Sequence, residues 1–166
     1  MTTSEEARLD DAVQTVAWFA NGWTDPTYDE FCDYFLTRMH PQVRLIQPLA
    51  ATGVGRAAFR KQFARLFATV PDINAEVLKW SSHGPDVFIE IALHGTIGWR
   101  SVTWYACDRL TVHDGMITER HSYFDPIPLV KAIALRPWAW PRLTVTSSRS
   151  IVTTHRIQTA SRGKAR

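Results

Sequence analysis

The chain has 166 residues, 45% hydrophobic and 21% charged, with two cysteines and a formal charge of +3, a length and balance that describe one globular domain and no disulfide framework. The charge is unevenly placed: no acidic residue follows Asp125, and Arg149, Arg156, Arg162, Lys164 and Arg166 fall in residues 144–166, so residues 1–143 hold 14 basic against 16 acidic side chains. That distribution argues against a nucleic-acid footprint on the globular part, no apolar run nears the roughly 18 residues of a membrane span, and the acidic start MTTSEEARLDDAV does not read as a secretory signal.

A cytoplasmic protein is therefore expected, with one domain over 1–143 and a basic Ser/Thr-rich tail over 144–166. The tail is too polar to offset its ordering entropy and reads as disordered.

Periodicity predicts a first helix from Glu5 to Ala20, with Leu9, Val13, Val16 and Ala20 on its apolar stripe and Ala12 and Phe19 widening it. NGWTDPTYDEF then breaks the chain. Asp25 before Pro26 suits the cap and first turn of a second helix carrying Phe31, Phe35 and Met39, which His40-Pro41 should end. VRLIQ (43–47) reads as a strand closed by Pro48. After the LAATGVG loop, Phe59, Phe63 and Leu66 or Phe67 mark one face of a third helix that Pro71 terminates. From there the period becomes two. Strands are expected at 74–81, 86–94, 101–113 and 116–124, the last two joined through His113-Asp114-Gly115, a hairpin signal. PLVKAIALRPWAWPRL suits a short closing helix. Helices followed by an antiparallel meander give an α+β fold with helices on one sheet face.

Alternation identifies candidate chemistry. Val87, Ile89, Ile91 and Leu93 form a core row opposite Phe88, Glu90, Ala92 and His94; Glu90 and His94 are capable of proton transfer if their side faces a pocket and are surface groups otherwise, and taking the continuous apolar row as the inner one downgrades Glu90. On the long strand, Val102, Trp104, Ala106, Asp108, Leu110 and Val112 form an apolar row broken by one carboxylate. Asp108 must either pair with Arg100, Arg109, Arg120 or His121 or sit in a pocket as a proton-transfer group. On the last strand neither row is cleanly apolar: Ile117, Glu119, His121 and Tyr123 alternate with Thr118, Arg120, Ser122 and Phe124. His121 is a candidate proton shuttle, Tyr123 a hydrogen-bond donor, and Trp104 with Phe124 an aromatic wall. The six histidines include no HExxH, and no dinucleotide, P-loop or nucleophile-elbow motif is present; no metal or organic cofactor is expected.

Two helices, a strand ending at Pro48, Gly55 opening a third helix, Trp104 followed by Asp108-Arg109, and the closing stretch DGMITERHSYFDP together resemble the cone-shaped nuclear transport factor 2-like family. That family includes SnoaL-like polyketide cyclases, steroid delta-isomerases and limonene-epoxide hydrolases. The resemblance covers about residues 5–130 and implies an α+β cone with helices on a curved, mostly antiparallel sheet. It implies a pocket, and with the strand rows above that pocket is expected to be walled by Trp104, Phe124, Ser122, Arg120, Gln47 and Leu93, with Asp108, His121 and Tyr123 kept from the reading of the residues as candidate catalytic groups.

The family's catalytic residues do not carry over. Gln47 stands where the isomerase base is expected and Val16 near its tyrosine, Ile91 and Leu93 replace the hydrolase Arg-x-Asp pair, and Ser122 replaces a last-strand Asp. Two functions therefore compete: a cofactor-free acid/base enzyme of isomerase, cyclase or hydrolase type acting on a small apolar ring-bearing molecule, and a non-catalytic small-molecule-binding or interaction domain. A homodimer through the outer sheet face is expected with either.

Overall fold

The computed structural model describes residues 3–134. Their elements are α1 (Thr3–Gly22), α2 (Tyr28–Leu36), β1 (Met39–Ile46), β2 (Gly53–Val54), α3 (Arg56–Thr69), β3 (Asn74–His83), β4 (Asp86–Ile97), β5 (Arg100–His113), β6 (Met116–Phe124) and α4 (Ile127–Ala134). The expected 144–166 tail lies outside the described residues. Contacts group the chain through Leu129 as one unit and from Val130 as a second; the fold described below is that of the first.

The six strands form an open sheet in the order β2-β1-β6-β5-β4-β3. All pairings are antiparallel except β1 with β6, which lets the strand after the second helix join the far edge of the meander. The β5–β6 turn is made by Asp114 (φ 49°) and Gly115 (φ 72°), the two left-handed residues that a tight hairpin requires.

Three of the expected boundaries shift. The stripe of α1 that packs inward is Ala12, Thr15, Val16 and Phe19, while Leu9 and Val13 are exposed; the helix runs through Gly22, two residues past Ala20, and Trp23 is buried in the turn that follows it. The second helix is capped by Thr27, not Asp25. Thr27 Oγ1 accepts from the Glu30 backbone N–H and the Glu30 carboxylate accepts from the Thr27 N–H at 3.0 Å, a reciprocal capping box, whereas Asp25 occupies the left-handed region at φ 42°. The helix ends at Leu36, so Met39 is a buried strand residue rather than a helical one. Pro41 falls inside β1 in the irregular stretch between the Met39–Ile117 and Arg44–Glu119 pairs, where a missing N–H breaks no regular ladder.

Helix α1 lies against β3 and β4, α3 against β1 and β2, and α2 against both helices. Where they meet, Phe31 is a hub: its ring centroid is 4.4 Å from Phe35, 4.6 Å from Trp23 and 4.6 Å from Phe63. Tilted and edge-on rings at these separations add to the burial of their area. The helices approach closely at Gly22, where a β-carbon would come within 2.3 Å of the Phe35 ring. Arg38 ties this layer to the sheet, donating to Thr15 Oγ1 and to the Gly115 carbonyl at 3.2 Å each. Among the described residues no helix is long and apolar enough to cross a membrane.

Thr27→Ala is expected to lower stability by about 1 kcal/mol, and Asp25→Gly to leave it level or raise it by relieving the positive φ. Urea denaturation of the two variants checks this; no change in Thr27→Ala would remove the capping box from the stabilising interactions.

Candidate functional site

Strand β5 turns Trp104, Ala106, Asp108 and Leu110 inward, and Asp108 has no exposed surface. A carboxylate there must be paired. Its Oδ2 accepts from Arg120 Nε at 2.8 Å. Of the four partners open from the sequence, Arg120 is therefore the one used. Arg109 turns to the other face and pairs with Glu119, which also holds Arg44 at 2.9 Å.

Strand β6 positions Arg120 by carrying one residue more than β5. Thr111 pairs with Glu119 and Val112 with Ile117, leaving Thr118 as the extra residue of a bulge. Before the bulge Ile117 faces the core; after it Arg120 and Ser122 do. The two mixed rows expected on this strand are thus one inward set, Ile117-Arg120-Ser122, cut by a change of parity.

Arg120 is held on three sides. Besides Asp108, its Nη1 donates to Gln47 Oε1 at 3.4 Å, a long bond, and its guanidinium carbon stands 5.2 Å from the Phe63 ring centroid. The two hydrogen bonds use two of a guanidinium's five N–H donors. Asp108 Oδ1 is buried with no hydrogen-bond partner.

Beside Arg120 is a cavity of about 80 Å³. Gln47, Leu93, Trp104, Arg120, Ser122 and Phe124, the six expected wall residues, all line it. The helices close it with Trp23, Phe63 and Leu66, residues whose periodicity identified them only as core or as part of a helix break. Gln62, also in the wall, carried no sequence signal. An apolar cavity that holds one benzene ring is about 150 Å³, so a single ring must displace part of this lining and a larger guest must displace more. A wider cleft of about 530 Å³ lies between α1 and the two hairpin turns; it is bordered by exposed Arg8, Asp11, His113 and Asp114 and does not enclose a ligand.

The expected catalytic trio is not brought together. Asp108 is behind the wall as the partner of Arg120, and is not itself a lining residue. His121 and Tyr123 face the other side of the sheet, stacked with centroids 4.0 Å apart and joined by a Tyr123 Oη to His121 Nδ1 contact of 3.0 Å. Their roles as shuttle and donor in this cavity are corrected: strand alternation after the Thr118 bulge turns odd positions outward. Glu90 is exposed and His94 Nδ1 contacts Thr103 Oγ1 at 3.0 Å on the same outer face, as the inner-row assignment expected. Among the described residues no cluster of His, Cys, Asp and Glu is placed to hold a metal.

Asp108→Ala strands a buried guanidinium and is expected to cost about 3–5 kcal/mol, whereas the double replacement Asp108→Leu with Arg120→Met is expected to restore most of that loss. Urea midpoints decide; a loss under about 1 kcal/mol in Asp108→Ala would mean that Arg120 is solvated.

No curated protein matches the chain. Among solved structures, a protein described as a SnoaL-like polyketide cyclase from Jannaschia is similar at a TM-score of 0.67 and 22% identity over 77% of this chain and 94% of that one. An epoxide hydrolase of the limonene-epoxide type from M. tuberculosis is similar at 0.59 and 20% identity, covering 83% and 98%. A ketosteroid isomerase-like fold from Catenulispora acidiphila, in complex with trimethylamine, gives 0.59 and 20%, covering 72% and 88%. These likenesses establish the nuclear transport factor 2-like cone. A family model for the SnoaL-like domain matches residues 15–120, and the chain belongs to that family.

Proposed function

We propose that the cavity takes up a small, largely apolar, ring-bearing molecule and that the chain acts on it as an enzyme of the isomerase, cyclase or hydrolase type without a cofactor. The observation that carries this reading is a buried ion pair set at a cavity otherwise walled mainly by Trp, Phe, Leu and Ile. Apolar walls remove the guest from water, and the pair then acts at low dielectric, where a fixed charge has its largest effect on a reacting group. Neighbours described as a polyketide cyclase and an epoxide hydrolase support the same type of activity. A second reading, a non-catalytic binding domain, is favoured by the outward placement of His121 and Tyr123, which leaves the wall without a separate proton shuttle among the described residues.

Both readings share a bound molecule. Organic extracts of the purified protein analysed by mass spectrometry, with nuclear magnetic resonance titration of single-ring fragments, are expected to show a ring-bearing guest whose signals on Trp104 and Phe124 vanish in the cavity-filling variant Ala106→Leu. Wild-type protein that carries no such guest and binds no ring-bearing fragment would overturn both. Turnover of the recovered guest then separates them: conversion by the wild type that falls by about 10² to 10³ in the folded double variant Asp108→Leu with Arg120→Met supports the enzyme, and no turnover by the wild type supports the binding domain.

The outer sheet face is proposed as the homodimer interface. Tyr105 and Tyr123 are exposed there, Cys107 is half-buried between Glu90 and Tyr123 of the neighbouring strands, and Arg44, Arg109 and Glu119 supply both signs of charge beside them. An aromatic centre with mixed charges at its rim suits a two-fold self-pairing. Burial pushes the Cys107 thiol up, and the charges of Asp108 and Glu90 add to the effect, so its alkylation at pH 8 is expected to be slow in the monomer and slower in the dimer. Sedimentation at tens of micromolar checks the state: a dimer converted to monomer by Tyr105→Arg is expected, and a wild-type monomer rejects the interface.

A further inference from the structure

We infer that Arg120 is the ligand-contacting polar group of the cavity, a donor to a neutral ring-borne acceptor oxygen such as a carbonyl, and that Asp108 is its positioning residue. The inference rests on the reading of the cavity as a small-molecule site and specifies what that site recognises. Arg120 belongs to the wall while Asp108 does not. The bond from Nε to Asp108 and the Phe63 ring beside the guanidinium define the plane of the group, which removes the rotamer freedom an arginine otherwise loses on binding. The Gln47 bond, at 3.4 Å, is weak enough for a guest oxygen to replace.

Charge selects the kind of oxygen. Asp108 already neutralises Arg120, so an ionised carboxylate guest would leave the enclosed site with a net negative charge and no second cation among the wall residues described, at a large desolvation cost. A carbonyl adds no net charge and gains a charge-assisted hydrogen bond. Two other wall residues, Trp23 and Gln62, each carry a buried polar atom with no hydrogen-bond partner, the donor Nε1 and the acceptor Oε1. With N–H donors of Arg120 left over after its two hydrogen bonds, a guest that carries a carbonyl fits this wall better than a pure hydrocarbon does.

The test compares three probes of similar size, acetophenone, ethylbenzene and benzoate, titrated by nuclear magnetic resonance into the wild type, Asp108→Asn, Arg120→Met and the folded control Asp108→Leu with Arg120→Met. Acetophenone is expected to bind the wild type more tightly than benzoate. In the double variant its affinity should fall by about tenfold to hundredfold, while ethylbenzene is unchanged or tighter. Asp108→Asn keeps the cation but loosens its hold; it should give an intermediate loss for acetophenone and none for ethylbenzene, a selectivity change that a merely structural Asp108 would not produce. Equal weakening of both neutral probes, or tighter binding of benzoate than of acetophenone, overturns the inference and leaves the cavity as a ring site. Failure of all three probes to bind the wild type overturns the reading beneath it.

Discussion

A buried ion pair inside a β-sheet requires two charged side chains on neighbouring strands to face the same side, and that requirement organises this molecule. Asp108 is committed inward by its place in the Trp104–Leu110 row. Arg120 reaches it only because β6 gains one residue at Thr118, so that a strand begun with Ile117 inward continues with Arg120 and Ser122 inward. Without the bulge Arg120 would face outward beside Arg109, and the buried carboxylate would lack its cation.

The helical layer makes the pair affordable. Phe63 of α3 covers the guanidinium, and the same ring packs against Phe31 and Phe59, so the position of Arg120 is coupled to the aromatic cluster that joins α2 to α3. Trp23, at the end of α1, contributes to that cluster and to the cavity wall at once. Packing, charge burial and the shape of the cavity are therefore aspects of one contact network, and side chains serving the site are also core side chains. In such a network the residues that line the cavity cannot be separated from the stabilising ones by burial alone.

The outward face of the same strands shows the reverse arrangement. Apart from the bulge at Thr118, Tyr105, Tyr123, His121 and the Arg44-Glu119-Arg109 cluster alternate with the inward residues. The histidine and tyrosine nearest in sequence to Ser122 and Phe124 are thereby separated from the cavity by the thickness of the sheet. Proximity along a strand is a poor guide to a shared site, because adjacent residues belong to opposite surfaces.

Much was legible in the order of residues. The change of period from about 3.6 to 2 after Pro71 marked three helices and four strands, the hairpin at Asp114-Gly115 announced its left-handed pair, and one carboxylate in an apolar row singled out Asp108 as a residue that had to be paired. These are local signals, each written in spacing or backbone preference within a few residues. The partner of Asp108, the parity of β6, the parallel seating of β1 and the extension of α1 to Gly22 were decided by tertiary structure. A bulge leaves no mark in one strand until the register with its neighbour is known. A helix that ends against an aromatic cluster can run past residues that would break it in isolation, because burying an indole outweighs the modest propensity cost of an Asn or Gly. The sequence by itself determined which residues needed an inward face; which of them met there depended on strand register, and register is a property of pairs.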